Sequence, residues 1–444
     1  VFFASGEYVS GTGSRACAGG WSDISKYTMD GVAPGKCWSV CTSRGREMNG
    51  KVRHSLRLTA MLYLLDYGAG NIQSLANSLT KLGYTYEWVR EPSDISKADK
   101  LLFPGVGSFA SAMDALHAKG YVEPLRAYIQ SGKPLMGICV GMQVLFEGSD
   151  ESPGVQGLGI VPARVGRFAT QDALGRKAVP HMGWSLANVV EWDGCADQRH
   201  ELAKSYGMHD ANPSHYYFVH SYRVAWDANV AEWALTTTQY GNEIFVSSVQ
   251  HANVFATQFH PEKSGQAGLD LLAAWLQLEH VEPTTRVGRP VSSTEHMPTR
   301  RIVACLDVRS NDAGDLVVTK GESYDVRERG EQDAGASHVR NMGKPVELAQ
   351  RYYDEGADEI AFLNITSFRN WALNDQPMLS LLNVAAATIF VPLTVGGGIR
   401  DFTDPDGTFH PALKVAHAYF RAGADKVSIG SEAVYAVEQL LARA

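Results

Sequence analysis

Cys139 sits in the run GICVGMQ, flanked by Gly137 and Gly141 between an apolar stretch and an amphipathic one. Gly-x-nucleophile-x-Gly is the pattern of a sharp strand-to-helix elbow, where small neighbours let the turn expose the reactive atom. A helix N-terminus just after a thiol favours the thiolate through free N–H groups. A nucleophilic thiol also needs a base and a group to orient that base. Far downstream, NVFATQFHPEKS supplies His260 and Glu262, and a spacing of two in an extended segment puts both side chains on one face. PGVG, with Gly105 and Gly107, follows the run ADKLLF and offers backbone N–H groups suited to an oxyanion hole. Each feature alone has a plainer reading: a buried structural cysteine, a surface His-Glu pair, a tight turn.

A second set of residues lies in the C-terminal third. Asp307 ends the run RRIVACLDV, where a barrel strand would carry an acid/base group at its carboxyl end; the plainer alternative is an Asp capping a turn. Lys320 in VVTKG, Gly397 and Gly398 in TVGGGIR, and Gly430 and Ser431 in VSIGSEAV are candidate substrate contacts. Glycines ahead of a helix bring backbone N–H groups to a phosphate, although a run of three is also an ordinary loop.

Two kinds of framework have to hold these residues. From Met61, apolar runs (MLYLLD, TYEWV, ADKLLF, KPLMGI) alternate with amphipathic segments such as Ile72, Leu75, Leu79 and Leu82, and those around 109–130 and 140–147. This alternation predicts a mostly parallel sheet flanked by helices, with ligands at the carboxyl ends of strands. Residues 160–260 are rich in β-branched and aromatic runs that add antiparallel strands, and GLDLLAAWLQL closes a first domain over 61–280. Residues 281–299 have a linker's composition. From 300 to 444, four strand runs precede helical patterns around 345–355, 376–387, 411–422 and 431–443. That is four βα units where a closed barrel has eight.

Composition narrows the classes. The 444 residues are 45% apolar and 20% charged, with a net charge of −8, so there is material for sizeable cores and no basic field to attract nucleic acid. VAAATIFVPLTVGGGI is broken by Pro392 and reads as a buried strand, so no membrane partner is expected. Six irregularly spaced cysteines do not suggest a disulfide framework, and no ligand-spaced partner follows Cys37 and Cys41 to make a zinc site.

Taken in order, GxCxGxQ, PGVG and HPE resemble the class I glutamine amidotransferases. LDYGAGN, HMGW and YYFVHSY narrow the resemblance to the glutaminase half of the imidazole glycerol phosphate synthase family. CLDV, VVTKG, FLNIT, TVGGGIR and ADKVSI resemble its cyclase half, in the fused eukaryotic order. The resemblance implies an α/β amidotransferase domain followed by part of a (β/α)8 barrel. It implies that Cys139, His260 and Glu262 form a triad, with the Val140 N–H assisting the PGVG loop and Gln143 and Glu151 binding glutamine. In the barrel it implies Asp307 as a catalytic aspartate, phosphate contacts at the GGG and Gly430/Ser431 loops, and Arg301, Glu359 and Lys426 around an ammonia entrance. Asn364 stands where separate bacterial cyclases have Asp, as in the fused type.

The expected partners are glutamine and a phosphorylated ribonucleotide, with the two domains interacting within one chain and no metal or redox cofactor required. The alternatives are an amidotransferase serving another acceptor and a silent docking module. Residues 1–60 lack apolar periodicity and begin with Val1; a cytoplasmic protein is expected, or a stromal one if they form a plastid transit peptide. A barrel of four units is expected to lack cyclase activity by itself.

Overall fold

In the computed structural model, residues 61–442 are described except 69, 193–202, 209–213, 279–287, 292–296, 311–315, 321–339, 366–375 and 404–406. The expectations for residues 1–60 and for most of 281–299, and the side chains of Lys320 and Ser431, lie outside the described residues.

The N-terminal half is built on an eight-stranded sheet. Leu62–Leu65 pairs in parallel with Glu87–Val89 on one side and Lys100–Gly105 on the other. Lys100–Gly105 pairs with Leu135–Cys139, and that strand with Val254–Thr257, again in parallel. Glu243–His251 and Ala234–Tyr240 extend the same sheet antiparallel, as the β-branched runs predict. The central strands are apolar throughout because helices cover both faces; all five residues of Leu135–Cys139 are buried. Helix Gln73–Lys81 contributes Leu75, Ala76 and Leu79 to the core, each buried leucine contributing roughly 2 kcal/mol.

Two details differ from the sequence reading. The segment expected to be helical over 140–147 is a single turn, Val140–Gln143, followed by the strand Phe146–Ser149. The aromatic and β-branched content at its end favours the sheet. Within 281–299, Gly288–Arg289 pairs with Glu191–Trp192, and the Thr299 N–H donates to the Trp184 carbonyl at 2.8 Å, so part of this segment is tied down by backbone bonds.

In the C-terminal half, four parallel strands lie side by side: Val303–Ser310, Glu359–Asn364, Leu393–Gly396 and Lys426–Ser428. Helices Pro345–Asp354, Gln376–Ala386, Ala412–Arg421 and Ser431–Leu441 occupy the expected places. The strand carrying Asp307 does not end there. It runs on to Ser310 and joins an antiparallel ladder with Leu316–Lys320 and Arg340–Gly343. Val308, next to Asp307, pairs with Asn364 in parallel on one side and with Val318 antiparallel on the other. The last helix leaves Val434, Tyr435, Val437, Leu440 and Leu441 exposed.

Both halves belong to one compact unit. Asn71 donates to the Gly423 carbonyl and to Asp425, both at 2.9 Å, and Lys263 pairs with Asp425 at 2.7 Å. The Gly265 N–H reaches the Phe390 carbonyl, and Arg421 lies 3.4 Å from Asp66.

Candidate active site

The parallel register brings three distant segments to one edge. Gly105 is the partner of Cys139 across one pair of strands, and Thr257 is the partner of Ile138 across the next. PGVG, the elbow and the FHPE segment thus leave the sheet together at the carboxyl ends of adjacent strands. Cys139 has a φ of 55°, the left-handed conformation of a strained elbow. The close approach needs Gly105: a Cβ there would come within 2.6 Å of the Gly141 nitrogen.

His260 Nδ1 lies 2.8 Å from Glu262 Oε1, and both residues are buried. Their contact is not the strand alternation that the spacing suggests. His260 is extended, Pro261–Lys263 forms a 3-10 turn, and the turn folds Glu262 back under the ring. With Nδ1–H donated to the carboxylate, the other ring nitrogen is left for Cys139, whose charge acts on the imidazole. Burial pulls the imidazole's proton affinity down, but Cys139 and Glu262 outweigh it and hold its pKa well above the ordinary value.

The oxyanion loop is occupied by an internal partner. The Val106 N–H donates to the Tyr67 hydroxyl, which donates back to the Val106 carbonyl, each at 3.0 Å. Burial keeps that phenol far above its usual titration range. Val140 opens the helical turn, so its N–H has no intrahelical acceptor. Gln143 and Glu151 are less free than the resemblance implies. Gln143 Nε2 donates to the Tyr222 carbonyl at 3.1 Å and to Gln258 Oε1 at 2.9 Å, while Glu151 accepts the Phe109 N–H at 2.8 Å.

In the barrel half the expected residues fall at opposite ends of the strands. Gly397, Gly398 and Gly430 lie just past the carboxyl ends, and Asp307, inside its own strand, is level with Leu363 near the carboxyl end of the neighbouring one. Gly397 is required there, because a Cβ would come within 2.1 Å of the Asn364 carbonyl oxygen. Arg301 precedes the first strand, and Glu359 and Lys426 begin theirs. Glu359 joins the trio: Arg301 Nε is 3.1 Å away, Lys426 pairs with the other oxygen, and Thr394 donates to it at 2.6 Å. Burial lowers the Lys426 pKa against the pull of Glu359. The Lys426 ammonium lies 5.8 Å from the Tyr217 ring centroid, and the Tyr217 carbonyl accepts the His260 N–H at 2.9 Å. One residue therefore links the His260 backbone to the cation cluster.

Residues 63–276 match the family described as Glutamine amidotransferase class-I, and residues 301–443 the family described as Histidine biosynthesis protein. The chain is 53% identical, over 85% of its length and 67% of the relative's, to "Imidazole glycerol phosphate synthase hisHF" of Schizosaccharomyces pombe. The chain belongs to the imidazole glycerol phosphate synthase family. A relative from Arabidopsis thaliana, named chloroplastic, is 48% identical over 88% of this chain and 62% of its own. The HisH subunit of Methanothermobacter thermautotrophicus is 41% identical over 49% of this chain and 98% of its own. The fused order places amidotransferase and histidine-biosynthesis domains in one polypeptide. Among the described residues no helix is long and apolar enough to cross a membrane.

Three residues escape the motif reading. Tyr67 lies in YGAGN and Tyr217 in YYFVHSY, runs that carry the resemblance without singling out either tyrosine. Gln258 is two positions before His260, and its amide is 3.6 Å from the Cys139 sulfur; its proximity to HPE was the available signal.

Proposed function

We propose that this chain carries the glutamine-hydrolysing domain and part of the cyclising barrel of the histidine-biosynthesis enzyme, with an amidotransferase domain over 61–280, a linker over 281–299 and barrel units over 300–444. Cys139 gives its proton to His260 and attacks the glutamine carboxamide carbon. The tetrahedral oxyanion is held by the Val140 N–H and the PGVG loop. His260, steadied by Glu262, returns the proton to the leaving nitrogen, so that ammonia departs and a glutamyl thioester remains. Water, deprotonated by the same imidazole, releases glutamate.

The observation that carries this reading is the continuity from the His260 backbone to the barrel. Tyr217 holds the His260 N–H with its carbonyl and lies against Lys426 with its ring. The Tyr217 hydroxyl and the Trp184 indole N–H are buried without a partner among the described residues, a costly state that a small polar molecule in transit would relieve. Ammonia would pass Arg301, Glu359 and Lys426 at the amino ends of the strands and reach Asp307 near the carboxyl ends. In a complete barrel it would there convert phosphoribulosyl-formimino-aminoimidazole-carboxamide ribonucleotide into imidazole glycerol phosphate and aminoimidazole carboxamide ribonucleotide, with Gly397, Gly398, Gly430 and Ser431 as phosphate contacts and Lys320 as a further substrate contact.

The test is glutamate release measured with glutamine alone and with the ribonucleotide added. Slow release alone and faster release with the ribonucleotide is expected, since the Val106 amide is engaged by Tyr67 until the loop reorients. Absence of glutamate in both conditions would refute the reading. Tyr67→Phe should raise the rate without ribonucleotide about thirtyfold, because two hydrogen bonds of about 1 kcal/mol each no longer hold the loop. The stimulated rate should be little changed. An unaltered rate without ribonucleotide would mean that Tyr67 does not restrain the loop.

A further inference from the structure

The Tyr222 carbonyl fixes the polarity of a buried hydrogen-bond chain that ends on the nucleophile. A carbonyl only accepts, and this one is reached by His220 Nδ1 at 2.8 Å and Gln143 Nε2 at 3.1 Å. His220 is therefore the Nδ1–H tautomer, and its Nε2 accepts from His181 Nδ1 at 3.0 Å. His181 Nε2 in turn accepts from the Ser185 hydroxyl at 3.0 Å. Burial keeps both imidazoles neutral, with His220 pushed down to about 3. On the other branch, the second N–H of Gln143 goes to Gln258 Oε1 at 2.9 Å.

That bond decides the orientation of Gln258. Rotating its amide by half a turn would set its NH2 group against that of Gln143, two donors face to face in a site where Gln258 is 1% exposed. The backbone is also fixed, since the Gln258 N–H donates to the Ser247 carbonyl at 2.9 Å. The Gln258 NH2 group is consequently aimed at Cys139, with Nε2 3.6 Å from Sγ, within the range of a hydrogen bond to sulfur. Its bond to the sulfur is separate from the His260–Glu262 pair, and a neutral amide has no proton to exchange.

We infer that Gln258 is a fixed donor to the Cys139 thiolate, oriented by Gln143 and the Tyr222 carbonyl, and that it keeps the sulfur reactive before glutamine arrives. An N–H donor bonds an anionic sulfur more strongly than a neutral thiol, so a donor that cannot turn away favours the nucleophilic form. The inference rests on Cys139 being the nucleophile, and it gives Gln143 an orienting role that is separate from glutamine binding.

Alkylation of Cys139 by iodoacetamide, followed by peptide mass mapping, tests this without glutamine and so without any effect on its binding. The titratable groups around the sulfur are His260, with Glu262 behind it, and Tyr67; all three are left in place. In Gln258→Met, of similar volume and without a donor, the rate at pH 7 should fall about tenfold or more. The deficit should shrink as the pH is raised, because a thiolate formed by added base no longer depends on the donor, whereas a displaced sulfur would stay slow at every pH. Gln143→Met, which leaves Gln258 present but unoriented, should lose several-fold and decides the matter if the first variant does not fold. Wild-type alkylation at Cys139 with unchanged rates in the folded variants would overturn the inference alone. Failure of the wild type to be alkylated at Cys139 would overturn the thiol's assignment and the inference together.

Discussion

Cys139→Ala should lose glutamine hydrolysis by about 10⁴-fold or more, the scale seen when the nucleophile of an acyl-transfer triad is removed. Neither His260 nor Glu262 can form the acyl intermediate, and the neighbours of the sulfur donate hydrogen bonds instead of attacking. The fold should survive. Alanine meets the same cost at a φ of 55°, and the group removed is small, so the stability change should stay within about 1 kcal/mol. In a chain with a complete barrel, added ammonium should restore cyclase turnover in the variant, since the barrel residues are untouched. The measurement is glutamate release by the purified variant, together with its melting temperature. Near wild-type release would remove the thiol from the reaction altogether.

The chemistry was legible wherever it is local in sequence. The elbow is written in the alternation of Gly137, Cys139 and Gly141, and the base with its orienting carboxylate in three consecutive residues. The parallel strands were legible as apolar runs because both their faces are covered. What could not be read is what depends on register and on turns of one residue. The Glu262 contact comes from a 3-10 turn, although the spacing argued for an extended strand. The helix after Cys139 is one turn, so help to the thiolate has to come from individual N–H groups and not from a long helix dipole. The hairpin after Asp307 was invisible because Leu316–Lys320 and Arg340–Gly343 lie far apart in the chain and pair only through the sheet. Gln258 offered only its position two residues before His260, since an amide acquires direction from its partners.

The same loop serves two surfaces, which explains how a site in one half can respond to the other. Asp66 and Asn71 meet Arg421, Gly423 and Asp425 of the barrel units, while Tyr67 between them holds both polar atoms of the Val106 peptide. A displacement of Asp425 would also reach Lys263, directly beyond Glu262. Asp425 is thus one carboxylate that touches both the segment carrying Tyr67 and the segment carrying Glu262.

Glu262→Gln should lower turnover about 10²- to 10⁴-fold while leaving the site's shape intact. The amide is isosteric but carries no charge, and it can present its NH2 group to the imidazole and impose the wrong tautomer. Without the carboxylate, burial acts on His260 against a weaker counterweight, so the imidazole's pKa should fall. This has a consequence for stability whose sign is fixed. The folded His260 titrates above its unfolded value of about 6.5, so its protonated form stabilises the fold fully below about pH 6.5, and that contribution fades as pH rises through the raised value. Removing Glu262 removes part of it. The variant's deficit in melting temperature should thus be larger at pH 6 than well above the raised value, where the imidazole is neutral in both proteins. Thermal melts across that interval, beside glutamate release at each pH, measure both effects. A deficit that grew with pH would mean that Glu262 does not hold the proton on His260.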